Sequence, residues 1–158
     1  MKNQLERSYL EIRSINELVV KNKPFNDLYL EKVNLPDFQI NKFFYKEIGK
    51  KHSWTDRLIW SDNKWINYVE SPGVSTYILK QNNDLIGYFE QIFDKDKLDC
   101  EIAYFGILEE YIGKQFGGYL LSEAIKTSFK IGSKRIWVHT CSLDHKNALK
   151  NYLSRGMK

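Results

Sequence analysis

Cysteine is scarce in this chain of 158 residues: Cys100 and Cys141 are the only two. Neither belongs to a CxxC pair or a Cys/His ligand spacing, so no disulfide framework and no metal site is indicated. Two reduced cysteines in a cytoplasmic protein is the plainer expectation. Long apolar runs are also missing. Nothing approaches the ~18–20 uninterrupted apolar residues of a membrane span, and Met1–Arg7 has no secretory-type run. There is no Gly/Ser linker, repeat or low-complexity tract, so one domain over 1–158 is expected. Strong charge of one sign is absent as well. The 24 basic and 20 acidic residues leave a net +4, and the densest basic clusters, Lys50-Lys51-His52 and Lys130–Arg135, are short. Without a basic stripe interleaved with exposed aromatics, nucleic acid is not an expected partner. A mild positive field does suit a small anionic ligand.

What is present is a full set of strand and helix signals. Ser8–Arg13 and Leu28–Val33 alternate like edge strands. Asn34-Leu35-Pro36-Asp37 reads as a helix start, followed by Ile40, Phe43, Phe44 and Ile48 on one face and Gly49 as a stop. A short helix is expected over Asp62–Glu70. Thr76–Lys80 and Leu85–Phe93 flank the turn-rich Gln81-Asn82-Asn83-Asp84 and form a hairpin, with Leu98–Leu108 the next strand. A long helix over Gln115–Lys130, a strand over Arg135–Thr140 and a last helix from Asp144 to Arg155 complete the chain. Meander followed by β-α-β crossover means an α/β (α+β) fold: a mixed, mostly antiparallel sheet with helices on both faces.

The segment richest in chemistry is the strand Glu101–Leu108, the turn Glu109–Gly113 and the helix opening Lys114-Gln115-Phe116-Gly117-Gly118. At such a junction the first helical N–H groups have no internal partner and face an anion, and glycines let a diphosphate approach the main chain. Here the residues resemble the GNAT acetyltransferase superfamily. Its cofactor signature is Gln/Arg-x-x-Gly-x-Gly/Ala, and Ile112-Gly113-Lys114-Gln115-Phe116-Gly117 stands in that register, with Ile112 and Gln115 departing from it. The stretch Asn147–Met157 is similar to the family's Asn-x-x-Ala-x-x-x-Tyr-x-x-x-Gly-Phe, with Ala148 one place early and Met157 for Phe. Trp54-Thr55-Asp56-Arg57 and His139-Thr140-Cys141-Ser142-Leu143-Asp144-His145 match a subgroup.

The resemblance implies a sheet splayed between the family's fourth and fifth strands, with the pantetheine arm of acetyl-CoA in the gap. Phe105, Gly106, Ile107 and Leu108 would offer it main-chain groups. Ile112, Gly113, Lys114, Gln115, Phe116, Gly117 and Gly118 would surround the diphosphate, and Asn147 would contact the cofactor. Transfer to an amine needs a base, an oxyanion stabiliser and an acid. Tyr152 is the candidate acid; the alternative is a core tyrosine. Glu101 is the candidate base and Glu90 its rival, with solvent-facing carboxylates as the plainer alternative for both. His139 lies near the splay and joins the catalytic candidates, although a strand histidine is commonly structural. Asp144-His145 reads as a helix cap. Trp54, Asp56 and Arg57 fall where the family walls its acceptor site: Asp56 suits an ammonium and Arg57 a carboxylate or phosphate, unless the two pair with each other.

The implied activity is acetyl transfer from acetyl-CoA to a primary amine of a small molecule or peptide. A non-catalytic acyl-CoA-binding or interaction module is the competing expectation, motivated by Ile112 and Gln115. The family usually continues after its Gly-Phe with a strand hairpin, whereas this sequence stops at Lys158. Either the hairpin lies beyond this sequence or a partner supplies those strands. In both cases the fifth strand has an unprotected neighbour position, which favours association, a homodimer being one form of it.

Overall fold

A computed structural model describes residues 6–158. Six strands form one sheet in the order β1-β6-β5-β4-β3-β2: β1 Arg7–Ile12, β2 Leu28–Lys32, β3 Val74–Gln81, β4 Asp84–Asp94, β5 Asp99–Ile107 and β6 Arg135–Cys141. Only β5 and β6 are parallel; every other neighbouring pair is antiparallel. Four α-helices accompany them among the described residues: α1 Phe38–Gly49, α2 Asp62–Val69, α3 Phe116–Lys130 and α4 Ala148–Ser154. The mixed architecture expected from the meander and the crossover is the one present.

Period-2 alternation in β4 divides the core. Phe89 faces the larger cluster, where Leu120, Leu121, Ala124 and Ile125 of α3 are fully buried beside Ile86, Cys100, Ile136 and Val138. Tyr88, its neighbour, faces the other way and stacks on Phe44 of α1 with ring centroids 4.7 Å apart, beside Ile48 and Leu108. Each such fully buried side chain contributes about 1.5–3 kcal/mol, so α3 is held mainly by its apolar face. Helix α4 joins the α3 side through Tyr152.

Two helix starts differ from expectation. Pro36 biases Leu35 away from helical conformation, so α1 starts only at Phe38, at the end of the expected Asn34–Asp37 start, with Asp37 capping it by accepting from the Gln39 N–H at 3.0 Å. Asp144 does not cap α4, which begins at Ala148. Its carboxylate instead accepts from the Thr140 hydroxyl (2.5 Å) and the Cys141 N–H (3.0 Å), closing the turn after β6.

The expected bare edge beside β6 is also corrected. The N-terminal strand β1 pairs with β6 along its length, from Arg7–Cys141 to Ile12–Ile136. Beyond it, Glu11 and Lys158 exchange backbone hydrogen bonds of 2.8 and 2.9 Å. The edge argument for a homodimer falls with that finding. Cys100 and Cys141 are both free thiols.

Candidate active site

β5 and β6 share three register pairs, Asp99 with Arg135, Cys100 with Ile136 and Glu101 with Trp137, and then part. The cause lies in the next residues. Glu90 and Gln91 of β4 face Tyr104 and Ile102, leaving Ala103 as an extra residue in β5. Such a bulge bends its strand and ends regular pairing. The divergence opens a cleft of about 840 Å³.

One end of the cleft is the turn into α3. Ile112, Gly113, Gln115, Phe116, Gly117 and Gly118 line it. Gly113 has φ +85° and Gln115 φ +72°, so a glutamine occupies a left-handed position that favours glycine. No side chain caps α3 at Gln115, and the first-turn N–H groups have no intrahelical partner. From α4, Asn151 donates to the Gly117 carbonyl at 3.1 Å. Asn147 lines the cleft too, but its own N–H is spent on His145 Nδ1. Lys114 is not part of the lining; its ammonium lies over the Tyr111 ring. The uncapped N–H groups, the positive-φ turn and the glycine surface fit a nucleotide diphosphate.

The middle is walled by Phe105, Gly106 and Ile107 of β5, and by Tyr152 of α4. Leu108 is not in the wall: its N–H donates to the Ile86 carbonyl and its side chain packs in the α1 cluster. Tyr152 is 8% exposed, and burial pushes its phenol far above the ordinary value. It stays protonated across the neutral range.

The other end is lined by Trp54, Asp56, His52, His139, Asp144 and His145, among others. The Trp54 indole N–H points at Asp144 Oδ1 (3.4 Å), which ties the segment after α1 to the turn after β6. The His52 and His145 rings meet edge-on at 5.9 Å; burial and the neighbouring imidazole lower the His52 pKa. Glu101 and His139, on adjacent strands, approach to 3.6 Å, and Glu101 raises the His139 pKa above the usual range.

Two sequence candidates are corrected. Glu90 is fully enclosed and accepts from Arg57 Nη1 (3.0 Å), Tyr68 Oη (2.6 Å) and Asn41 Nδ2 (2.8 Å). No acceptor amine can reach it, so it is not a base. Arg57 does not pair with Asp56. Its guanidinium is buried against the Tyr104 and Tyr68 rings, at 4.1 and 4.2 Å from their centroids. Burial pulls its pKa down, and the Glu90 charge more than restores it. Arg57 therefore positions the 54–57 wall from behind and holds no acceptor anion.

Sequence reasoning passed over His52, Tyr104 and Asn151. Asn151 carried a usable signal, since it sits one turn after Asn147 and next to Tyr152. The other two depended on contacts between distant segments. Among the described residues no group of three or more His, Cys, Asp or Glu side chains is gathered to hold a metal, and no helix is long and apolar enough to cross a membrane.

Known structures share this fold. A GCN5-related N-acetyltransferase from Sphaerobacter thermophilus is 13% identical with a TM-score of 0.73, over 96% of this chain and 47% of that one; the chain thus spans about half the length of that protein. An aminoglycoside acetyltransferase from an uncultured soil metagenomic sample, in complex with trehalose, is 12% identical with a TM-score of 0.69, over 84% and 90%. A Bacillus subtilis acetyltransferase in complex with CoA is 19% identical with a TM-score of 0.60, over 82% and 75%. At these identities the likeness is one of fold. No curated protein sequence matches the chain. The model of the acetyltransferase (GNAT) family does match, over residues 36–157, which contain α1 to α4 and the whole splay: the chain belongs to the GNAT acetyltransferase family.

Proposed function

We propose that this domain transfers an acetyl group from acetyl-CoA to a primary amine of a small molecule or peptide, with both substrates bound together. One observation carries the reading. The bulge-opened cleft is lined by an uncapped helix N-terminus, a protonated buried phenol and the His139 imidazole, which Glu101 approaches from outside the lining.

Bound acetyl-CoA supplies an acyl thioester. The first-turn N–H groups of Phe116, Gly117 and Gly118 hold its diphosphate, and the unpaired edge of β5 from Phe105 to Ile107 aligns its pantetheine arm. His139, supported by Glu101, accepts the proton of the incoming ammonium and leaves a neutral nucleophile. Asp56 draws the cationic acceptor to the mouth, and Trp54 shapes the passage. The neutral amine adds to the thioester carbonyl, forming the C–N bond. As the C–S bond breaks, the Tyr152 hydroxyl donates its proton to the departing thiolate, and the remaining surplus proton of the adduct nitrogen restores the phenol through solvent. No residue of the wall needs to form a covalent acyl-enzyme: Cys141 at the cleft has no activating partner among the described hydrogen bonds, and burial raises the Cys100 thiol to about 11.

The test has two stages. Thermal unfolding with saturating acetyl-CoA should show stabilisation of about 2.7 kcal/mol at a hundredfold excess over Kd, a shift of several degrees for a domain this size. A panel of amines should then drive release of free thiol. Binding without thiol release from any amine would favour an acyl-CoA-binding module, and no thermal shift in a folded sample would remove the cofactor.

A further inference from the structure

Charges of opposite sign stand free at the acceptor end of the cleft. Asp56, from the segment after α1, and Arg7, from β1, both line it. Neither side chain has an ion-pair or hydrogen-bond partner among the described residues. The charges around them are engaged: Asp144 accepts from Thr140 and Cys141, Glu101 meets His139, Arg57 is locked on Glu90, and Arg13 and Arg135 share Glu11.

Arg7 is held in place by its strand. The Glu6 carbonyl accepts from the Ser142 N–H at 2.9 Å, and from Arg7 onward β1 pairs with β6, Arg7 opposite Cys141 and Tyr9 opposite His139. Residues opposed in an antiparallel pair put their side chains on one face. Arg7, Tyr9 and His139 therefore share the face turned away from α3, while Leu10, Ile136 and Val138 point into the core. His139 is thus a diagonal neighbour of Arg7, and the Arg7 charge opposes its protonation. Tyr9 is 66% exposed, with its ring 6.0 Å from that of His139, and Trp137 continues the row at 6.4 Å. A bare aromatic ledge leads outward from the imidazole, with an unmatched guanidinium beside it.

We propose that Arg7 and Tyr9 form an acceptor subsite that selects a primary amine also carrying an oxyanion, with the body of the molecule laid against Tyr9. The subsite rests on the transfer reading above and narrows its acceptor to a zwitterion. The ammonium enters past Asp56 and gives its proton to His139, while the guanidinium of Arg7 takes the oxyanion through its two-pronged donor geometry. Carboxylate and phosphate both match that fork. Arg57 leaves this role vacant, since it is enclosed against the Tyr104 and Tyr68 rings. Both residues of the subsite belong to β1, ahead of the stretch that carries the family likeness.

Initial rates of thiol release from acetyl-CoA, measured with paired acceptors that differ only in the anion, test the subsite. Phenylalanine is compared with phenethylamine, and O-phosphoethanolamine with ethanolamine. The wild-type chain should prefer the anionic member of at least one pair, and which pair it is tells carboxylate from phosphate. Arg7→Gln should cut that preference, the ratio of the two kcat/KM values, by about 10-fold and mainly through KM; Arg7→Lys should recover part of it. Tyr9→Ala should raise the KM for phenylalanine by about 2- to 10-fold. Thermal unfolding with acetyl-CoA checks that each variant is folded. Turnover without preference for an anionic member, or a preference that Arg7→Gln leaves intact, overturns the subsite alone. Thiol release with other amines but with none of these four also overturns it. A folded wild-type chain that binds acetyl-CoA and releases thiol with no amine of a wider panel overturns the subsite and the transfer reading together.

Discussion

The Glu90 carboxylate and the Arg57 guanidinium meet at 3.0 Å inside the protein, with Glu90 fully enclosed and Arg57 almost so. Breaking such a pair from one side leaves the other charge buried and unmatched, which costs about 3–5 kcal/mol. Glu90→Ala should therefore lose stability on that scale in urea denaturation, and the loss should precede any question of activity. A stable Glu90→Ala with normal substrate binding and no turnover would restore Glu90 as a catalytic group.

His139 and Glu101 make the opposite case, a pair partly in solvent of which the imidazole lines the cleft. Glu101 raises the His139 pKa, so the base is free only above the usual histidine range. Activity should rise with pH through that raised value, and Glu101→Gln should move the limb to lower pH. The stability linkage has a definite sign. The pair's contribution is fully present below the unfolded value near ~6.5 and is lost as pH rises through the folded one. With His139 43% exposed, its energy is small. A pH–rate profile that Glu101→Gln leaves in place removes the pair from the proton path.

Tyr152→Phe should reduce kcat about 10²-fold, the lower range for loss of a general acid, while the thermal shift with acetyl-CoA stays as in the wild type. A KM effect without a kcat effect would make Tyr152 a packing residue against Phe105, whose ring centroid lies 6.4 Å away.

Gln115→Gly should stabilise the domain. Left-handed backbone costs a side-chain-bearing residue about 1–2 kcal/mol, and glycine gives back about 0.5–1 through its unfolded freedom. The net gain, between about 0 and 1.5 kcal/mol, should appear as a small rise in melting temperature without ligand. A fall in melting temperature would mean that the Gln115 side chain holds the turn.

What the sequence disclosed follows physical locality. The long helix, the meander and the glycine turn were legible because period and turn chemistry are written within a few residues, and α3 begins one residue from its expected start. The partner of β6 was not legible: β1 alternates like any edge strand, and nothing local says which edge it joins. Glu90 was read as a rival base or a solvent-facing carboxylate and is neither, because Arg57, which neutralises it, sits 33 residues away. The start of α4 was misread because Asp144 is as suited to close a turn as to open a helix, and only tertiary contact with Thr140 and Cys141 decides between them.

The placement of β1 also has a consequence for the order of assembly. Glu11 and Arg135, which meet across β1 and β6, are 124 residues apart in sequence. A contact that closes so long a loop carries a high entropic threshold and slows folding. During synthesis β1 emerges early and waits, unpaired, until β6 has left the ribosome. Until then an exposed strand edge is available to wrong partners. The sheet can grow from β2 to β6 first, so that β1, which braces the strand carrying His139, docks late.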